Sequence, residues 1–153
     1  MKKAIGIKLF LGLFLIVTQS SFAQCLKSMA IDSTGQVTDE TGKLLARVNA
    51  EGTLTDPDGI KIAHLDTTGS MVDEYSGLKL GKKDAFGNFK VHYIGLADDI
   101  WIIYNPVHHE CTITDLHGII RGTVHERFKA IGTCSLYWIN QHRRQLDKPA
   151  DNL

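Results

Sequence analysis

A turn signal repeated in phase decides most of what this chain can fold into. Asp or Asn followed three residues later by Gly occurs at Asp39–Gly42, Asn49–Gly52, Asp56–Gly59, Asp66–Gly69 and Asp84–Gly87, with a five-residue version at Asp73–Gly77. From Asp39 to Asp73 the spacings alternate between 10 and 7, a repeat of 17 residues. A hairpin loop made of a type I turn closed by a left-handed residue wants these types. The Asp or Asn side chain accepts from backbone N–H groups further along the turn. Pro57 suits the first central place, and Gly at the close takes a positive φ without a Cβ clash. Six such signals require short strands, each antiparallel to the next.

The residues between the turns agree. The short strands place Val37, Leu54, Met71, Phe89 and Ile113 at one phase, with Thr38, Thr55, Val72 and Thr114 turned the other way. In the longer strands the first position after Gly is Lys43, Ile60, Leu78 and Ile119, and the third is Leu45, Ile62, Leu80 and Arg121. The fourth is confined to Ala46, Ala63, Gly81 and Gly122, which predicts a bulge or a close approach of backbones. The fifth is Arg47, His64, Lys82 and, as the exception, Thr123. These basic positions read as solvated rims.

Residues 1–23 read as a secretory signal: Lys2 and Lys3, an apolar run from Ile5 to Val17, and Ser21-Phe22-Ala23 as a small-x-small cleavage site. The run is too short to span a bilayer as a helix. Cleavage near Ala23 predicts a periplasmic or secreted protein with no transmembrane segment after signal removal. Lipid attachment at Cys25 is the lesser alternative, because Phe22-Ala23-Gln24 does not suit a lipobox. The stretch 24–139 reads as one hairpin-repeat domain and 140–153 as a polar tail, helical or disordered. With 17 basic and 17 acidic residues, nothing calls for nucleic acid or an anionic membrane surface.

Cys25, Cys111 and Cys134 are an odd set in an oxidising compartment. Cys134-Ser135-Leu136-Tyr137-Trp138-Ile139 reads as a last strand. The strand from Ile119 would then separate Cys111 from Cys134 by two strand spacings, roughly 9–10 Å. A disulfide needs Cα atoms within about 7 Å. Pairing of Cys25 with Cys134, formed as the last strand returns beside the first, is at least as well supported.

One unit breaks the rhythm. After Phe89, His92 replaces the expected Asp, and the next strand is Asp98-Asp99-Ile100-Trp101-Ile102-Ile103-Tyr104. The connection Asn105-Pro106-Val107-His108-His109-Glu110 follows, before Thr114-Asp115-Leu116-His117-Gly118 resumes the pattern.

The Thr-Asp-x-x-Gly turns and Gly-x-apolar-Thr-Asp strands, such as Gly52-Thr53-Leu54-Thr55-Asp56, resemble those of small secreted bacterial proteins described as a β-flower. The resemblance covers about Ile31 to Tyr137. It implies five β-hairpins around a pseudo-fivefold axis, and it brings no assigned function and no catalytic residue.

No Ser or Cys sits in a nucleophile elbow, and no phosphate-cradling Gly loop precedes a helix. On a strand, neighbours diverge, so His108-His109-Glu110-Cys111 could offer one ion only alternate side chains, and Asp98-Asp99 cannot act as a close acid pair. The plain reading of both is polar connection. Trp101, Tyr104, His92 and His108 gather in the irregular unit, on the kind of insertion where binding groups tend to lie. The sequence thus predicts an all-β antiparallel meander of about five short hairpins, closing into a flower-like or small barrel-like ring. Its function reads as a non-enzymatic exported binding or structural module without cofactor. Trp101 and Tyr104 would be apolar anchors for an unknown ligand or protein, and His92 or His108 polar contacts. The competing class is a metal-binding protein or hydrolase using the histidines and aspartates of the same unit.

Mass spectrometry of the exported protein checks the first of these expectations. The chain should begin near Gln24 and carry no acyl group, and a diacylglyceryl Cys25 would overturn the soluble reading.

Overall fold

A computed structural model describes residues 28–92 and 96–146, with the side chains of 144–146 outside the description. The Asp-x-x-Gly signals become hairpin turns. In each the Asp or Asn Oδ1 accepts from the backbone N–H two residues on, as Asp56 does from Asp58 at 2.9 Å and from Ile60 at 2.8 Å. Gly59 closes that turn at φ +87°, with open space around the place a Cβ would take. The turns link eleven short strands among the described residues: β1 (Met29–Ile31), β2 (Gln36–Thr38), β3 (Leu44–Val48), β4 (Thr53–Thr55), β5 (Lys61–Leu65), β6 (Ser70–Asp73), β7 (Lys79–Lys83), β8 (Phe89–Val91), β9 (Asp99–Ile103), β10 (Glu110–Asp115) and β11 (Ile120–His125).

Each strand pairs antiparallel with the next in sequence, and the ring is closed by a parallel pairing of β1 with β11, Ala30 opposite Thr123. The architecture is therefore all-β and a closed barrel. Connections alternate between two ends. The proximal end carries 32–35, 49–52, 66–69, 84–87 and 104–109; the distal end carries 39–42, 56–59, 73–77, 92–98 and 115–118.

The expected strand over 134–139 is instead helical. After β11 a 3-10 turn, Glu126–Phe128, leads into helix α1 (Lys129–Leu146). From Ile131 to Ile139 every residue of α1 is buried, whichever way it faces. A helix apolar all round must be enclosed. It packs against strands around the ring, β3, β6, β7, β8, β9 and β11, and so occupies the lumen. Nine residues at 1.5 Å each span about 13.5 Å, within the roughly 16 Å of a five-residue strand. The stretch Gly132-Thr133-Cys134-Ser135 keeps the first half of the helix slender, and Tyr137 and Trp138 bring large buried rings to the second. Gly132 lies so close to β11 that a Cβ there would meet Val124 Cγ2 at 2.6 Å.

The confined column of small residues now has its cause. Ala46, Ala63, Gly81 and Gly122 pair with Val37, Leu54, Met71 and Ile113, and the register shifts just beyond each of these pairs. Each shift leaves Leu45, Ile62, Leu80 or Arg121 as the extra residue of a bulge. Consecutive residues such as Leu45 and Ala46 are then both buried, which strict alternation forbids. The inward phase read from sequence is observed at Val37, Leu54, Met71, Phe89 and Ile113, all fully buried.

The last strand was the premise for pairing Cys25 with Cys134, and β1 pairs with β11 instead. Cys111 on β10 and Cys134 on α1 are buried free thiols, and Cys25 lies outside the described residues. Desolvation pushes the Cys134 thiol up to about 12, and its Sγ donates to the Ile131 carbonyl at 3.0 Å.

Gly122 tests the packing of helix against seam. A Cβ there would lie 2.5 Å from the Met29 carbonyl oxygen and 2.6 Å from Leu136 Cδ1. We expect Gly122→Ala to cost about 2–3 kcal/mol by urea denaturation, as overpacking does. Gly59→Ala, strained only in its backbone, should cost about 1 kcal/mol. Equal costs would count against the tight seam.

Candidate functional site

The distal end of the barrel is closed by a polar layer built from the turn aspartates. Their Oδ1 atoms serve the turns; their Oδ2 atoms reach other elements. Asp73 Oδ1 accepts from the N–H groups of Tyr75 and Ser76, both at 2.9 Å. Its Oδ2 accepts from Trp138 Nε1 at 3.2 Å and lies 3.1 Å from His142 Nε2. The His142 ring stacks on Trp138, and its Nδ1 is 2.8 Å from the Trp138 carbonyl oxygen. Asp39 Oδ1 accepts from Thr41 N at 2.9 Å, and its Oδ2 is 3.5 Å from Arg143 Nη2. Asp115 Oδ1 caps its turn, and its Oδ2 takes a forked pair from Arg121, Nε at 3.1 Å and Nη2 at 2.6 Å. The Arg121 guanidinium lies 5.7 Å from the Trp101 ring centroid. Gripped this way, α1 fills the lumen with buried side chains among the described residues.

The outer wall is different. Along two seams between hairpins, the basic position once read as a solvated rim acts as a staple. Arg47 Nη1 donates to the Pro57 carbonyl oxygen at 2.7 Å, and His64 Nδ1 bonds Glu74 Oε1, each reaching the next distal turn. Lys82 holds the same place on β7, but the next distal connection is the irregular 92–98. There Lys82 is exposed and reaches no partner among the described residues. A groove of about 340 Å³ opens at this seam, lined by Ser70, Lys79, Leu80, Gly81, Lys82, Lys90 and His92. Ladder pairing of β7 with β8 stops at Lys82 opposite Lys90. Lys79 is held by Asp66 at 2.7 Å, and Lys90 and His92 share Asp98 at 2.6 and 2.5 Å. Hydrogen bonds from Lys90 and then His92 hold the Asp98 carboxyl below the usual carboxylate range, against a smaller opposing effect of burial.

The four residues singled out by sequence do not form one site. His92 is exposed on the groove. Trp101 is a correction: it points into the core, where its ring meets Tyr137 edge-on at 5.0 Å, so it offers a surface ligand no anchor. Alternation along β9 gave two faces without saying which faced inward. Tyr104 and His108 sit at the proximal end, at the opposite end of the barrel from His92. His108 and His109 form a two-residue loop with φ of 51° and 67°, closed by Val107 pairing with Glu110. Such loops favour Asn-Gly, so the histidines carry backbone strain. His109 Nδ1 lies 2.6 Å from Glu126 Oε1, and the His109 carbonyl accepts from Glu126 N at 2.8 Å. Among the described residues, no three His, Cys, Asp or Glu side chains converge as metal ligands. Sequence reading missed Lys79, Lys82 and Lys90; the signal was that the fifth-position basic residue at Lys82 faces an irregular neighbour.

Burial alone would raise the Asp73 carboxyl, but the Ser76 N–H and hydroxyl, the His142 charge and the Tyr75 N–H hold it below the usual carboxylate range. A carboxyl depressed on folding contributes stability above its unfolded value, lost as pH falls through the folded one. We expect the melting temperature to drop on acidification below roughly pH 4. In Asp73→Asn it should start lower at neutral pH and fall less steeply below that point. Parallel melting curves would remove Asp73 from the acid response. No protein-family model, curated protein or solved structure matches the chain.

Proposed function

We propose that the chain is an exported, non-enzymatic binding module of flower-like, five-hairpin plan, and that its ligand contacts the irregular unit at the groove beside His92. One observation carries this reading. Where the Arg47 and His64 staples close two other seams, Lys82 reaches no partner among the described residues and a groove opens. Three lysines and a histidine line it, with the serine hydroxyl and the backbone at Gly81. That chemistry suits an extended ligand bearing carboxylates. Because Lys79 and Lys90 are engaged by Asp66 and Asp98, Lys82 supplies the open charge.

An octa-glutamate peptide, with an octa-serine peptide as control, tests the reading by amide shifts in solution. Shifts should cluster at Lys79–Lys82 and His92 with the acidic peptide, weaken as salt rises, and vanish in Lys82→Glu. Shifts centred on Tyr104 and His108, or none with either peptide, would overturn it.

A further inference from the structure

Among the described residues, nine large apolar side chains stand more than half exposed, and six belong to the distal end. Tyr75, Leu96 and Leu116 lie in its connections; Ile60, Leu78 and Ile120 lie just beyond them. The proximal end has Phe86, Tyr104 and Val107. Single exposed apolar residues are ordinary, but six on the tips of one end form a broken crown. The place after the turn Gly is not bound to be apolar, since Lys43 fills it in the first copy.

The chain itself indicates what lies against this crown. Strand β1 runs from Met29 at the distal end toward the proximal one, so the residues before Ser28 lead into the barrel at the distal end. Those residues contain the apolar run Ile5–Val17 and Cys25. During export the distal end is therefore the one held next to the bilayer. Cys25 is three residues from the first described residue, roughly 10 Å of extended chain. The charges are compatible with a lipid surface. Lys43, Lys61 and Lys79 stand at the base of the crown, and most carboxylates there are engaged: Asp39 and Glu40 by Arg143, Glu74 by Lys61, Asp98 by Lys90, Asp115 by Arg121. Asp73 is engaged by His142, and Asp56, Asp58 and Asp99 remain.

We infer that the distal end is a lipid-contacting face, on which Ile60, Tyr75, Leu78, Leu96, Leu116 and Ile120 enter the interfacial region of a bilayer. Tyrosine with aliphatic tips is the composition such a region accepts. Anchoring of this kind scales with apolar area and needs no covalent lipid.

Flotation with vesicles of phosphatidylethanolamine and phosphatidylglycerol tests this, using exported protein whose mass shows neither leader nor acyl group. The protein should float with the vesicles. Leu78→Asp with Leu116→Asp should lower partitioning about tenfold or more, with the circular dichroism spectrum unchanged because both positions are exposed. Ile60→Asp alone should lower it in the same direction, which keeps the test open if the double variant fails to fold. Phe86→Asp, at the other end, should leave it unchanged. Protein that stays with the aqueous fraction would overturn the inference, as would equal loss in Phe86→Asp. A dimer in sedimentation that the double variant dissolves, without vesicle binding, would assign the crown to a second copy instead.

Discussion

Two oxygens on one carboxylate hold this fold together. Asp39, Asp73 and Asp115 each spend Oδ1 on their own turn and Oδ2 on a second element: Arg143 and His142 of α1, or Arg121 of β11. The turn fixes where the carboxylate stands, and the second contact fixes what fills the ring. Asn49 shows the simpler case, capping its turn through Oδ1 alone at the proximal end. An ionised carboxylate keeps both oxygens as acceptors, which an amide cannot do. This supplies a reason, beyond turn propensity, for Asp at Asp39, Asp73 and Asp115.

Much of the barrel was legible for the same reason. A turn that needs Asp and Gly at fixed offsets leaves its mark in sequence, and Val37, Leu54 and Met71 follow from it by period two. The column of Ala46, Ala63, Gly81 and Gly122 announced a tight place without saying what was tight. The helix was not legible. Cys134, Leu136 and Trp138 alternate with Ser135, Tyr137 and Ile139, and a run of six so largely apolar fits a buried strand as well as a buried helix. Ser135 is the one polar residue in that run, and what decides is the enclosing ring, a tertiary fact that no window of residues contains.

The candidate site divides along similar lines. His92 was visible as a departure from a repeat, and it does lie on the groove. Trp101 was visible only as an aromatic, and the face of β9 it occupies is set by its pairing opposite the inward Phe89. The role of Lys82 could not be seen alone, since its exposure has meaning only beside Arg47 and His64, which do the same job with partners. A groove here is the absence of a staple, so it belongs to two units together.

Placing α1 at the centre has a consequence for how the molecule is assembled. The enclosed helix follows every strand of the barrel in sequence, and the ring that encloses it is sealed by the first of those strands, β1, beside the last, β11. A chain emerging from its amino terminus can form hairpins one by one, each local and cheap in loop entropy. It cannot shut the ring around an empty lumen and keep it, because Ala46, Ala63 and Gly122 leave there a space that only α1 fills. Until Trp138 meets Asp73, the hairpins remain an open sheet with two free edges, β1 and whichever strand has just emerged. Such edges invite pairing with other chains. Completion is thus a late event that joins the first and last elements of the barrel, and its speed sets how long the open sheet is exposed.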